Sequence, residues 1–196
     1  IAFFGGMPYV DTVLDGSQAL TLPRLTYQEC AKKCAEDFRA AADLLPNDWD
    51  KTTVGKKTLG KNDIRITKVC ALGYLGKVLL WAASPLNNLG KAEIGASKNG
   101  DTYKYNTELA AQAADALAEA IGEVNSGKTP YALAEYKYSN NYDNEADKSS
   151  NSNFSDIFRT TGQDWKMPGS TEAIMRGPHI GENGSNWNFT KLWGPK

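Results

Sequence analysis

The stretch Asp63 to Asn88, DIRITKVCALGYLGKVLLWAASPLNN, decides the fold. From Val69 to Ala83 it is apolar nearly all round, with Leu72, Leu75, Val78, Leu79, Leu80 and Trp81 falling on every side of a helical wheel. A helix of that kind must be covered on more than one side, so it is expected at the centre of a helical layer. Asp63 is a suitable cap for its start and Pro85 stops it after about Ser84. The apolar run is interrupted by Lys77 and falls short of the ~20 residues that cross a bilayer. Gly73 and Gly76 each cost about 1 kcal/mol relative to Ala inside a helix, a cost best explained by the close approach of a neighbouring backbone.

Upstream, Thr26 and Glu29 form a capping box that starts an earlier helix. Its apolar residues Tyr27, Cys30, Cys34, Phe38, Ala41 and Leu45 step by three and four, away from Lys32, Lys33, Glu36, Asp37 and Arg39, until Pro46 ends it. A polar, Gly- and Lys-containing link, Asn47 to Asn62, leads to the central helix. The opening IAFFGGMPYVDTVLDG (1–16) reads as a packed, irregular connector closed by a turn at Asp15-Gly16. Downstream, after a loop at Asn87 to Gly100, Asn106 or Thr107 caps a third helix to about Asn125, stopped by Ser126-Gly127. Leu109, Ala113, Ala116, Leu117, Ala120, Ile121 and Val124 are expected on its inner face. Three helices of about 20 residues at roughly 40-residue spacing predict a mostly α fold of antiparallel, tetratricopeptide-like repeats. Beyond Gly127 the texture is loop-rich: YKYSNNYDNEADKSSNSN (136–153) is too polar for a core element, a short helix is expected around Phe154 to Arg159, and STEAIMR (170–176) reads as a minor strand.

The 196 residues, 41% hydrophobic and 23% charged, have the balance of a folded domain. Such a chain buries roughly 70% of its unfolded surface, without need of disulfides or a metal. Lys and Arg number 22 against 23 Asp and Glu, with neither a basic stripe nor an acidic tail. Nucleic acid and anionic membranes are therefore not expected as partners. The single histidine, His179, excludes an HExxH pair or a His cluster, and no GxSxG, Walker A or GxGxxG pattern occurs. An enzyme is the minority expectation. Cys30 and Cys34 share a helical face, but with only Cys70 besides them they read as small buried apolar residues, not metal ligands. No cofactor is expected. No signal-peptide pattern opens the sequence, so any export signal is expected to have been removed or to lie outside it.

Read in order, the chain resembles the SusD/RagB family of outer-membrane glycan-binding lipoproteins. The resemblance rests on Gly5-Gly6-Met7-Pro8, then Pro23-Arg24, then a Tyr-initiated helix ending in Leu44-Leu45-Pro46, then the helix closing in Ala83-Ser84-Pro85-Leu86. An alanine-rich helix entering Ser126-Gly127-Lys128 and a Glu172-Ala173-Ile174 strand continue the series. It implies that residues 1–196 are a single partial domain of a larger protein, with a helical scaffold at about 26–125 and a loop-rich, ligand-side region at about 127–196. The family's lipidated cysteine, first helices and C-terminal part have no counterpart in this sequence. The implied activity is non-catalytic: capture of an oligosaccharide at the cell surface and delivery to a SusC-like TonB-dependent transporter, with the membrane reached only through a lipid anchor.

A pyranose offers an apolar C–H face and a rim of hydroxyls, so its site needs a flat aromatic ring beside amides. Asn186-Trp187-Asn188 places an indole between two amides, and Trp165 and Tyr142 lie in similarly polar stretches; these five are the candidate carbohydrate-binding residues. The competing reading of each aromatic is ordinary packing of a loop onto the helices. Trp81 is assigned to the core of the central helix, and His179, between Gly177-Pro178 and Gly181, to a loop hydrogen bond. Two other functions compete: a helical-repeat module gripping a protein partner, and a glycoside hydrolase, for which no motif places a carboxylate pair.

Overall fold

The computed structural model describes residues 5–17, 21–62, 64–88, 104–133, 172, 174 and 175. These fall into two compact units: one made of residues up to Asp48 together with Ile66–Pro130, the other of Trp49–Arg65 and the chain from Tyr131 onward.

The first unit is three antiparallel helices, α1 (Tyr27–Leu44), α2 (Lys68–Ala83) and α3 (Thr107–Asn125), with α2 packed against both others. The sequence sets the start of α1 as expected: the Glu29 N–H donates to the Thr26 hydroxyl at 3.2 Å, and the Thr26 N–H donates to the Glu29 carboxylate at 2.7 Å. Two of the donors that a helix start leaves unpaired are thereby satisfied. Leu45, forced out of the helical region by Pro46, is extended and ends the helix. The buried face is rotated slightly from the expected stripe. Ala31 and Ala42 are fully covered with Tyr27 and Cys30, while Cys34, Phe38 and Ala41 are only half-buried, because the small side chains let α1 lie closer to α2.

The irregular segment before α1 is packed where its glycines lie. The Leu25 N–H donates to the Met7 carbonyl at 3.2 Å and the Arg24 Nε to the Gly6 carbonyl at 2.6 Å. A Cβ on Gly6 would sit 1.7 Å from the Leu25 carbonyl oxygen, so only glycine admits this strand-like pairing. Further along, Val13 is fully exposed, and Asp15 closes the turn by accepting from the Ser17 N–H at 2.9 Å.

α2 begins at Lys68, with Thr67 at its N-cap position making no side-chain capping bond, and not near Asp63. Asp63 itself lies outside the described residues; its neighbour Asn62 explains the delay. The Asn62 amide donates to the Gly55 carbonyl at 2.9 Å and accepts from the Thr58 hydroxyl at 2.8 Å, and the Asn62 carbonyl accepts from the Arg65 N–H at 3.0 Å. A residue committed to a loop and a turn in this way cannot also open a helix. The first-turn N–H of Lys68 is satisfied by the Pro46 carbonyl at 3.0 Å, which brings the end of α1 to the start of α2. At the opposite end the Asn106 N–H donates to the Ala83 carbonyl at 3.0 Å, bringing the end of α2 to the start of α3.

The close approach expected at the α2 glycines occurs at one of them. A Cβ on Gly76 would lie 2.5 Å from Leu117 Cγ and 3.2 Å from the Ala113 carbonyl oxygen of α3, whereas one on Gly73 meets nothing within 4 Å. α3 is capped by Asn106, whose side chain accepts from the Leu109 N–H at 3.0 Å, and stopped at Ser126 before Gly127 at φ +70°. Its buried face, Leu109, Ala113, Ala116 and Ala120, is narrower than expected: Leu117 and Ile121 are exposed, and among the described helices α3 packs chiefly on α2.

Polar side chains bind the three helices near the α1–α2 junction. Arg39 of α1 makes a forked pair with Glu119 of α3 at 2.6 and 3.2 Å, and Lys68 of α2 reaches Glu123 at 2.8 Å. Asn47 also donates to Glu123, at 2.7 Å. These bonds hold the Glu119 carboxyl below the usual carboxylate range, chiefly through Arg39, and Glu123 likewise through Lys68 and then Asn47.

In the second unit, Trp49–Lys51 and Gly55–Thr58 form short 3-10 turns. The expected strand at 170–176 is not formed at Glu172, Ile174 or Met175, the described residues of that segment. The Tyr131 hydroxyl donates to the Ile174 carbonyl there at 3.2 Å.

Candidate functional site

Tyr74, Lys77 and Trp81 follow one another at helical spacings of three and four and so share one face of α2. α1 and α3 cover two sectors of this helix, and the third, carrying these residues and Leu80, is open to solvent. Tyr74 stacks on Phe38 of α1 with ring centroids 5.7 Å apart and planes 14° from parallel, which anchors one border of the open sector. The Lys77 ammonium lies over the Trp81 ring at 5.6 Å from its centroid. Trp81 is 46% exposed.

The assignment of Trp81 to the core is therefore corrected. All-round apolarity implied a helix covered on more than one side, and among the described helices α1 and α3 cover two, but Trp81 lies opposite the buried Leu72 and Leu79, in the sector left open. The signal that marks the wet sector was present in the sequence. Lys77 is the one charged residue between Val69 and Ala83, and residues three and four away from it, Tyr74 and Trp81, share its exposure.

The chain that follows Trp81 is held by amides. The Ser84 N–H and the Asn87 side chain both donate to the Trp81 carbonyl, at 3.1 and 2.9 Å, satisfying an acceptor that the helix end leaves open. Gln28 of α1 donates to the Asn87 carbonyl, and the Asn88 side chain donates to the Lys104 carbonyl at 2.9 Å. Tyr105, next to Lys104, is exposed, as is Leu86. Pro85 begins the 3-10 turn Pro85–Asn87 that brings both asparagines back to the helix end. The result is a half-exposed indole and an ammonium on one helix face, with a fixed run of carboxamides at its end. Such a surface suits a neutral, hydroxyl-rich ligand with one apolar face.

Tyr142, Trp165, Asn186, Trp187 and Asn188 lie outside the described residues, as does His179. Of the cysteines, Cys30 accepts from the Met7 N–H through Sγ at 3.2 Å, and burial pushes the thiols of Cys34 and Cys70 up, away from the reactive thiolate. Among the described residues no three His, Cys, Asp or Glu side chains are grouped so as to hold a metal ion, and no helix is long and apolar enough to cross a membrane. No known family model matches the chain, and no curated protein matches it.

Proposed function

We propose that this chain is part of a non-catalytic glycan-binding lipoprotein of the SusD/RagB kind, which captures an oligosaccharide at the outer-membrane surface and passes it to a SusC-like TonB-dependent transporter. Tetratricopeptide-like repetition of the helices belongs to the same reading. The observation that carries it is the half-exposed Trp81 ring at a helix end lined by Asn87 and Asn88. Support also comes from the order of the motifs: Arg24 of Pro23-Arg24 donates to the Gly6 carbonyl of Gly5-Gly6-Met7-Pro8, so these two segments, distant in sequence, are one structural device. Tyr142, Trp165, Asn186, Trp187 and Asn188 are the other nominated ligand residues, and no chemistry is assigned to any of them.

Isothermal titration of the protein against a panel of neutral oligosaccharides tests the reading. Stacking and amide hydrogen bonds predict weak binding that is unchanged by salt, because no charge on the ligand is screened. Trp81→Ala is expected to weaken it by roughly fivefold or more, in line with the ~1 kcal/mol or so of an aromatic contact beyond its buried area. Lack of heat at millimolar sugar would refute glycan binding. Unchanged affinity in Trp81→Ala with a loss in Trp187→Ala would move the site to the C-terminal third.

A second reading, a helical-repeat module for a protein partner, is favoured by the exposed apolar side chains Leu80 of α2 and Leu117 and Ile121 of α3. Capture of a peptide whose binding is lost in Ile121→Asp but kept in Trp81→Ala would favour it.

A further inference from the structure

Between Lys51 and Asn62 the sequence KTTVGKKTLGKN contains four lysines and no acidic residue, a local excess that the even overall charge hides. The structure makes this stretch a closed loop and not a slack link. The Thr52 hydroxyl donates to the Trp49 carbonyl at 2.8 Å and accepts from the Gly55 N–H at 2.9 Å. A Cβ on Gly55 would lie 1.8 Å from that same Trp49 carbonyl, so the chain folds back on itself there at van der Waals limit. Asn62 closes the loop with its bonds to Gly55 and Thr58. Gly60, at φ +73°, makes the final reversal. The stretch is flanked by Asp50 and Asp63; Asp50 is turned to the neck of the loop, where it accepts from the Asn62 amide and, at 3.4 Å, from the Gly60 N–H.

Much of the loop backbone is thus bonded within the loop, with Thr52, Thr58 and Asn62 turned inward. Lys56, Lys57 and Lys61 are exposed, and none of the ion pairs among the described residues involves them. Val54 and Leu59 are exposed beside them, at 56% and 66%. Exposed ammonium groups interleaved with exposed aliphatic side chains on an ordered loop match the two terms of an interfacial membrane contact: attraction to anionic headgroups and burial of apolar carbon at the acyl boundary.

We propose that the Lys51–Asn62 loop docks on an anionic bilayer surface, Lys56, Lys57 and Lys61 facing the headgroup phosphates and Val54 and Leu59 entering among the headgroups. The charge complementarity selects an anionic over a zwitterionic surface. The aliphatic pair selects a bilayer over a nucleic acid, which offers Val54 and Leu59 no apolar layer to enter. This is independent of the glycan reading, since none of its residues belongs to that site.

Sedimentation of the 196-residue chain with vesicles tests it, using vesicles of phosphatidylcholine with about one third phosphatidylglycerol against pure phosphatidylcholine. The expected result is binding to the anionic vesicles, lost as salt rises from 0.05 to 0.5 M. Near the surface each lysine contributes roughly fivefold, so Lys56→Ala/Lys57→Ala/Lys61→Ala is expected to lower partitioning about a hundredfold. Val54→Ser/Leu59→Ser should lower it several-fold at unchanged charge. Equal binding to both vesicle types, or triple-variant binding equal to wild type, overturns the proposal. So does wild-type binding in Val54→Ser/Leu59→Ser, or equally tight binding of soluble heparin, because either would make the loop a general polyanion contact. Far-ultraviolet circular dichroism matching wild type establishes that each variant is folded.

Discussion

Replacing each α2 glycine by alanine separates helix propensity from helix packing. Gly73 and Gly76 both lie in the interior of Lys68–Ala83, so each change gains about 1 kcal/mol of propensity and removes similar freedom from the unfolded chain. These gains cancel in the difference between the two variants, leaving the steric term. At Gly73 it is nil, because a new methyl meets nothing within 4 Å; at Gly76 the methyl would be 2.5 and 2.7 Å from Leu117 Cγ and Cδ2 and 3.2 Å from the Ala113 carbonyl oxygen. Leu117 is partly exposed and can turn outward, giving up its packing, but the Ala113 carbonyl cannot retreat unless α3 moves. Overpacking of this kind costs about 1–3 kcal/mol. Gly73→Ala should thus stabilise by up to about 1 kcal/mol, and Gly76→Ala should lie about 1–3 kcal/mol below it. For a chain of this length the gap is roughly 2–12 °C in Tm, read by circular dichroism at 222 nm. In Leu117→Ala/Gly76→Ala the two closest atoms are gone, so the double variant should be more stable than the sum of the single effects. If Gly76→Ala raises Tm as much as Gly73→Ala does, α3 does not approach α2 at Gly76 and the helical packing described above is wrong.

Two further outcomes follow from polar contacts. Glu119 and Glu123 titrate lower in the folded state than in the unfolded chain, so their contribution is complete above the ordinary carboxylate range and is lost as pH falls through their folded values. The urea midpoint should be flat from about pH 8 to 6 and drop below about pH 5, and Glu119→Gln/Glu123→Gln should start lower and fall less; a double variant with the wild-type pH profile would dissociate these groups from stability. Thr26→Ala removes the hydroxyl half of the α1 cap and should cost about 1 kcal/mol, while Thr26→Ser, which keeps the acceptor, should stay near wild type; equal melting of all three proteins would mean that the cap carries no net stability.

The parts of this fold legible in the sequence are those set by neighbours along the chain. The Thr26–Glu29 box, the Pro46 stop, the Asn106 cap and the glycine after Ser126 act over one helical turn, and each lies where its residues place it. What depends on the number of packing neighbours was read less well. Trp81, Leu117 and Ile121 are apolar and helically spaced, yet exposed, because periodicity defines a face without saying whether another element covers it. The late start of α2 is of the same kind: Asp63 and Thr67 are both competent caps by type, and the choice is made by Asn62, whose partners Gly55 and Thr58 are in a different turn. The loop Asn47–Asn62 reads as a polar link because its order comes from the Asn62 amide, one tight backbone approach at Gly55 and one left-handed glycine at Gly60, none of which has a periodic signature. Of the candidate site, the need for a ring beside amides was legible, but Trp81 was hidden by its own helix.

The Pro46 carbonyl and the Lys68 N–H meet at 3.0 Å. The polypeptide therefore leaves the helical layer and re-enters it through a single closed gate, with twenty-one residues between the two posts. Closing a longer excursion at such a gate costs little, since the entropy of a loop grows only with the logarithm of its length. Between Trp49 and Arg65, outside Asn47 with its bond to Glu123 and the buried Thr67, the excursion is thus a cassette whose length can change at small entropic cost while the three helices keep their register.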